Sequence, residues 1–528
     1  MILQPVLVDG VWRQPARPCG TFQAVNPATK KTLPDVYPIS SFEEVEACLK
    51  AAHEAVDKLD SFSPDSIAQF LAVCADLLES RGQALAEAAH AETGLPVEPR
   101  LRTTELLRTT DQLRQAAAAC RDRSWCRATL DITKNIRSKH GPLGGPVVIF
   151  GPNNFPFAFN SAAGGDFAAA IASGNPVIAK ANPGHPGTTK LLAEVALDGL
   201  KETGLPRATV QMLYHFSPED GLKLAAHPLI GATAFTGSRT AGLRLKAAAD
   251  RVGKPIYLEM SSLNPVFVLP GAMAERKEQI AQEIFASCTI GTGQFCTKPG
   301  LVILKGDDQS ESFLGIVENL FETNPPGLLV GRQAMDTIQA ALKKMTRLGA
   351  LILTGGREFP GPGYSFANTL LCVSGQQFLK HPQGLQVEAF GNVSLFVLFS
   401  HDAQLAEIAG QLDGNLTGTI YSQSRGHDDP LYERIAPILR RKVGRLLNDK
   451  MPTGVVVTAA MNHGGPFPAT GHPGFTSVGI PASLLRFTAL HCYDNVRPGR
   501  LPEELRDKNP TGSMWRLING EWTQRDVA

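Results

Sequence analysis

Between residues 145 and 269 the chain alternates short apolar runs with longer stretches of helical spacing, and this rhythm constrains the fold more than any other feature. Val147-Val148-Ile149-Phe150, the run from Asn175 to Lys180 and Ile256-Tyr257-Leu258 read as buried strands. Strands of that kind joined by helices predict an α/β chain with a parallel sheet of the dinucleotide-binding type. A second alternating region runs from about 270 to 476. Ahead of both, residues 41–124 are rich in Ala and Leu at helical spacing, and Cys74 falls among their core positions. Residues 125–146 are polar and extended, with alternation in Thr129-Leu130-Asp131-Ile132-Thr133. Asp9-Gly10 and Asn519-Gly520 read as small hairpin turns.

In an open α/β sheet, ligands bind beyond the carboxyl ends of the strands, and chemistry-bearing residues of this chain fall at such ends. Lys180 closes one strand. In Phe235-Thr236-Gly237-Ser238 a strand runs into a helix; Gly237 frees the turn, while Ser238 and the helix N-terminus offer donors to a pyrophosphate. This is not G-x-G-x-x-G, so alone it is a weak dinucleotide signal. Val147–Phe150 leads into Gly151-Pro152-Asn153-Asn154-Phe155-Pro156, where two prolines and a glycine fix an irregular loop. An amide held there, that of Asn154, can donate to an oxyanion, although asparagine in a turn is ordinary turn chemistry.

Cys296 lies in Gly291-Thr292-Gly293-Gln294-Phe295-Cys296-Thr297. A thiol is nucleophilic as thiolate, which needs a polar, partly exposed setting with donors close by; small flanking residues let main-chain N–H groups approach. Most free cysteines are instead buried and inert. Glu259, 37 positions upstream, sits at the tip of the strand Ile256–Leu258. Partial desolvation there is expected to raise its pKa towards the range of a general base.

Together these segments resemble the aldehyde dehydrogenase superfamily. The family's Pro-x-Asn-Phe-Pro matches Pro152 to Pro156, its strand-end lysine Lys180, and its Phe-Thr-Gly-Ser Phe235 to Ser238. Its general-base glutamate matches Glu259, its Gly-Gln-x-Cys Gly293 to Cys296, and its Glu-x-Phe-Gly Glu388-Ala389-Phe390-Gly391. Within the superfamily, Ala162–Asp166, Asn182–Thr188, Glu259–Phe267, Arg108–Arg114 and Met461–Thr470 are most similar to 2,5-dioxovalerate (α-ketoglutaric semialdehyde) dehydrogenases. NADP-using fatty aldehyde dehydrogenases are the nearest competitor.

The resemblance implies a Rossmann-like cofactor domain from residues 1–124 and 147–264, and an α/β catalytic domain from 265–476. It also implies a small β oligomerisation arm from 125–146 and 477–500, leaving 501–528 as a C-terminal tail. It makes Cys296 the nucleophile, Glu259 the base and Asn154 an oxyanion donor. Phe155, Lys180, Asn182, Pro183, Phe235, Gly237, Ser238, Gly242, Glu388 and Phe390 become cofactor contacts. Many NAD-preferring relatives carry a glutamate where this chain has Pro183, so NADP is the expected cofactor, with NAD also accepted. Arg108 and Arg114 are the candidates for holding a substrate carboxylate, with surface ion pairing the bland alternative for each.

Three neighbours of these motifs depart from the family pattern: Ser261-Ser262 for a glycine pair, Asn392 for a proline, and Asn153 where tryptophan is frequent. Lys298, two residues past Cys296, is expected to be solvated; holding the thiolate or a substrate carboxylate is the alternative. A cofactor-independent cysteine esterase would leave Lys180, Phe235–Ser238 and Glu388–Gly391 unexplained. A CoA-acylating enzyme would typically lack the base at Glu259, and a non-catalytic relative would not need Cys296, Glu259 and Asn154 together.

Composition narrows the rest. Lys+Arg of 51 against Asp+Glu of 50 leaves no polyelectrolyte signature, which disfavours nucleic acid as a partner. Nine scattered cysteines show no Cys/His metal spacing, so a reducing compartment and no metal are expected. Neither a leader pattern at the start nor a bilayer-length apolar run is present. A cytoplasmic homodimer or homotetramer acting on a small aldehyde, without membrane contact, is the expectation.

Overall fold

The structure, a computed structural model, describes residues 3–527. The apolar runs pair as parallel strands in the order Ile256–Glu259, Ala232–Thr236, Val147–Phe150, Val177–Lys180, Val210–Leu213. From Val147–Phe150 the chain first builds outward on one side and then returns to build on the other. The reversal at that strand opens the crevice in which such sheets bind ligands. Register decides what lines it. Phe150 pairs with both Lys180 and Phe235, and Thr236 with Glu259, so these strands end level with one another. The Asn154 loop, Lys180, Gly237 and Glu259 therefore leave the sheet along one edge.

Two antiparallel strands, Val6–Val8 and Val11–Arg13, extend the far side of this sheet. Their turn has φ of 54° at Asp9 and 68° at Gly10, the positive pair that a two-residue hairpin of this type requires. Helices Pro64–Ser80, Leu107–Asp122, Gly165–Ala172 and Pro186–Thr203 pack into the same apolar core, where Cys74 is buried. Ser63 caps the first by accepting from Ser66 N, with Pro64 preset for the first helical position.

A second sheet runs in the order Leu351–Thr354, Thr369–Ser374, Val393–Phe399, Leu301–Lys305, Val266–Val268, Asn415–Tyr421, Val443–Asn448. All its neighbours pair in parallel except the edge strand Leu351–Thr354. Glu259 ends a strand of the first sheet and Val266 begins one of the second, so Glu259–Pro265 bridges the two.

The third sheet combines Thr488–Asp494, Ile136–Pro142, Thr129–Asp131, Arg516–Ile518 and Glu521–Thr523. It corrects one expectation. Residues 501–527 are not a separate tail, because Arg516–Ile518 pairs with Thr129–Asp131 and Leu501, Leu505 and Met514 share a core with Cys126 and Leu130. Fully buried Arg516 ties the segment together by donating to the carbonyls of Arg506, Asp507 and Arg525. The turn at Asn519-Gly520 has φ of 48° and 89°, as at the first hairpin. Among the described residues no helix is long and apolar enough to cross a membrane.

Candidate active site

Cys296 follows the helix Pro270–Thr289 through a turn in which Gly291, Thr292 and Gly293 all have positive φ. A side chain at Gly293 would meet the Gly391 carbonyl at 2.3 Å, so only glycine lets this loop lie against residues 391–392. Asn264 fixes the loop from below, its Nδ2 donating to the carbonyls of Cys296 (2.8 Å) and Lys298 (3.0 Å). Cys296 is half-buried, whereas Cys48, Cys74, Cys120, Cys126 and Cys288 are buried, with burial pushing their thiols up.

His463 stands between Cys296 and Glu259. Its Nε2 lies 3.2 Å from the Cys296 sulfur and 3.0 Å from Glu259 Oε1. No sequence pattern ties His463 to this site: 167 positions separate it from Cys296, and no spacing rule links a histidine in an irregular segment to a distant thiol. Its one sequence signal is its place in Met461–Thr470, a segment that resembles the semialdehyde dehydrogenases. Burial disfavours charge on the imidazole, but the Glu259 carboxylate and the Cys296 sulfur outweigh it and raise His463 to about 10.

Glu259 departs from expectation. Burial does push its carboxyl up, yet the adjacent His463 cation and the Ser477 hydroxyl, which donates to Oε2 at 2.8 Å, hold it below the usual range. Oε1 has no aligned hydrogen-bond donor and can accept one from a water. The arrangement is a cysteine–histidine–glutamate cluster in which His463 and Glu259 are buried and Cys296 is half-buried.

Asn154 closes the site from the first sheet. Its Nδ2 donates to the Gln294 carbonyl at 2.8 Å, leaving one amide N–H for a reacting oxygen. Phe155, assigned to the cofactor by resemblance, instead packs edge-on against Phe159 and Phe295 and lines the cavities beside Cys296. Its proline-fixed loop turns the ring towards the thiol side.

A cavity of about 960 Å³ leads away from this ring cluster, lined largely by apolar groups from Leu95, Phe155, Ile290, Phe295, Leu328 and Val455. Charged side chains also line it: Arg100 pairs with Glu105, Asp111 stands nearby, and Arg108 has no ion pair among the described residues. Its guanidinium lies 5.4 Å from the Phe159 ring centroid, and Nε and Nη2 are buried without partners. Burial lowers its pKa from the ordinary arginine value. Arg108 also lines the small cavity at Cys296 and His463. Arg114 is corrected: it is half-exposed, pairs with Glu79 (2.5 Å) and Asp76 (2.8 Å), and lines neither cavity. Six positions, about one and two-thirds helical turns, separate the two arginines on the helix Leu107–Asp122, which turns them to different faces.

Across the strand ends, burial brings Lys180 down to about 8, and Lys180 in turn helps lower His215 to about 4, burial being the larger cause. Asn182 braces the crevice, donating to the Gly151 carbonyl at 3.1 Å and accepting from Gly184 N at 2.9 Å, next to Pro183. Gly237 N donates to the Glu259 carbonyl at 3.1 Å, and Ser238 caps the helix Arg239–Asp250. Gly242 lets that helix approach Phe235 and Met260, which a Cβ would meet at 3.2 Å. Glu388, at the other wall, is raised to about 7 by burial while the Ser261 hydroxyl and Ser262 N–H bond it. Phe390 is half-buried beside it. Lys180 and the capped helix N-terminus suit an anionic dinucleotide, and Glu388 suits a ribose.

Lys298 is neither solvated nor turned to the thiol. It is 3% exposed, with Nζ donating to the carbonyls of Val393 (2.6 Å) and Ala389 (3.3 Å).

Residues 12–441 match the model of the aldehyde dehydrogenase family. The chain is 37% identical over 513 residues to alpha-ketoglutaric semialdehyde dehydrogenase 2 of Azospirillum brasilense, covering 95% of this chain and 96% of that one. It is 34% identical over 520 residues to alpha-ketoglutaric semialdehyde dehydrogenase of Acinetobacter baylyi, covering 96% of each. Its fold is shared with apo betaine aldehyde dehydrogenase of Staphylococcus aureus, at TM-score 0.80 and 18% identity over 94% of this chain and 96% of that one. It is shared equally with a mutant aldehyde dehydrogenase C of Pseudomonas syringae complexed with NAD+ and octanal, at TM-score 0.79 and 20% identity over 94% and 98%. With the half-buried thiol, its histidine and carboxylate, and the dinucleotide crevice in one cleft, the chain belongs to the aldehyde dehydrogenase family.

Proposed function

We propose that this aldehyde dehydrogenase oxidises a carboxylate-bearing semialdehyde, α-ketoglutaric semialdehyde, to the dicarboxylic acid 2-oxoglutarate with NADP, NAD being accepted as well. The observation that carries the substrate reading is half-buried Arg108, whose Nε and Nη2 are buried without partners and which lines both the small cavity at Cys296 and the larger, largely apolar cavity beside it. An unpaired buried cation is costly, and a substrate carboxylate relieves it. The names of the two relatives at 34% and 37% identity support the same substrate.

The Cys296 sulfur, 3.2 Å from His463 Nε2, adds as thiolate to the aldehyde carbon to give a thiohemiacetal. Asn154 and the Cys296 main-chain N–H hold the oxyanion, each donor contributing roughly 3 kcal/mol. A nicotinamide held in the crevice would accept the hydride, which leaves an acyl thioester on Cys296. Glu259 Oε1 then takes a proton from water, hydroxide attacks the acyl carbon, and the thiolate leaves on to the His463 side. Lys180 would attract a 2′-phosphate, which no carboxylate at Pro183 repels, and Glu388 would hold the nicotinamide ribose, with Phe390 beside it. Asn182, Phe235, Gly237, Ser238 and Gly242 shape the crevice.

The apolar lining of the outer cavity favours a second reading, a medium- or long-chain aldehyde. The test measures reduced cofactor at 340 nm with α-ketoglutaric semialdehyde, succinic semialdehyde and a long-chain aldehyde, each with NAD and NADP. Highest kcat/KM for the five-carbon acid, lost in C296S, is expected; a higher value for the long-chain aldehyde overturns the substrate reading. The nine free cysteines support a cytoplasmic setting, and the open outer edge of Thr488–Asp494 supports a homodimer or homotetramer.

A further inference from the structure

We propose that Lys298 is a positioning residue that ties the Glu388–Phe390 segment to the nucleophile loop, so that Cys296 and the ribose-holding carboxylate keep one fixed separation. The inference rests on the reading of Glu388 as the ribose contact.

Lys298 is held at both ends. Its main chain belongs to the cysteine loop: its N–H donates to the Phe295 carbonyl at 3.0 Å, and its carbonyl shares Asn264 Nδ2 with that of Cys296. Its side chain crosses to the other loop, where Nζ takes the carbonyls of Ala389 and Val393, one on each side of Phe390-Gly391-Asn392. A Cβ on Gly300 would sit 3.3 Å from Nζ, which leaves the ammonium little room to leave that position. The far side of the segment is pinned by Asn392, whose Nδ2 donates to the Phe366 carbonyl and to Asn368 Oδ1, each at 2.8 Å.

A buried ammonium is expensive, and an apolar side chain of similar length fills the same space more cheaply. What the lysine adds is directional: two charge-assisted bonds that join the irregular backbone at Ala389 to the first residue of the strand Val393–Phe399. It also supplies the charge that bears on Glu388, whose other partners, the Ser261 hydroxyl and the Ser262 N–H, are neutral. Burial raises Glu388 while Lys298 opposes the rise. Removing the cation moves the carboxyl further up, so its charged form appears only at higher pH.

The test is equilibrium binding of NADPH to the full-length enzyme, followed by cofactor fluorescence from pH 6 to 9, in native protein, K298M, K298Q and E388Q. K298M is expected to weaken binding about tenfold at neutral pH and to shift the acid limb of the binding profile up by about one unit. K298Q keeps an amide donor but no charge; it should recover part of the affinity while keeping the shifted limb. This shift is the readout that simple packing damage would not produce, and K298Q supplies it if K298M does not fold. Binding within twofold of native and an unmoved limb in the folded lysine variants overturn the proposal, provided E388Q weakens binding. If E388Q also leaves NADPH binding unchanged, the ribose role of Glu388 falls, and the role proposed for Lys298 with it.

Discussion

His463 Nε2 lies 3.0 Å from Glu259 Oε1 inside the protein, and the same nitrogen lies 3.2 Å from the Cys296 sulfur. A single imidazole thus compensates two groups that act at different stages, the nucleophile and the base. Replacing it with glutamine should lower kcat by about 10²–10⁴-fold, the range for loss of a positioned proton-transfer partner, with a smaller change in KM. Alkylation of Cys296 by iodoacetamide at neutral pH should slow at least about tenfold, because the imidazole 3.2 Å from the sulfur is gone. An unchanged alkylation rate would remove His463 from the activation of the thiol.

The same pair makes stability depend on pH in a definite direction. His463 is raised to about 10, so its contribution is fully present below the ordinary imidazole value of about 6.5 and is lost as pH rises through about 10. Glu259 is held low, so its contribution is present above the ordinary carboxylate value of about 4.3 and is lost as pH falls. The stability gap between native protein and H463Q should therefore be widest between about pH 4.5 and 6.5, at roughly 3 kcal/mol for a broken buried pair, and should narrow towards pH 10. Denaturant unfolding across that range measures it.

Arg108 and Arg114 should separate in kinetics. R108A is expected to raise KM for an acidic semialdehyde by roughly tenfold or more and to leave a neutral aldehyde almost unaffected, as loss of a charge-assisted contact predicts. R114A, which breaks only a half-exposed pair with Glu79 and Asp76, should match native enzyme with both substrates. Equal KM values for R108A and native enzyme with the acidic substrate would sink the assignment.

Lys180 is half-buried at the strand end without a carboxylate beside it at Pro183. K180A should raise KM for NADP far more than KM for NAD, because only the former carries a phosphate for the ammonium to meet. Comparable rises for both cofactors would show that Lys180 serves the shared part of the dinucleotide.

The sequence by itself determined the parallel sheet and what stands at its edge. Uniformly apolar runs such as Val147–Phe150 can be satisfied only as strands buried on both faces, and strand-terminal Lys180 and Glu259 follow from chain order once those strands pair in register. The hairpins at Asp9-Gly10 and Asn519-Gly520 were legible for an equally local reason, the positive φ that such residues accept. Contacts between distant segments were not legible in this way. His463 meets Cys296 across 167 residues, and Arg516–Ile518 joins Thr129–Asp131 across almost four hundred, as packing rather than spacing dictates. Tertiary structure also decided which charges are free. Arg114 finds two carboxylates and Arg108 none, Lys298 turns inward to two carbonyls, and Glu259 is pulled down rather than pushed up because His463 folds against it. Burial and charge pairing are properties of the assembled neighbourhood, and residue identity sets only which groups are available to enter it.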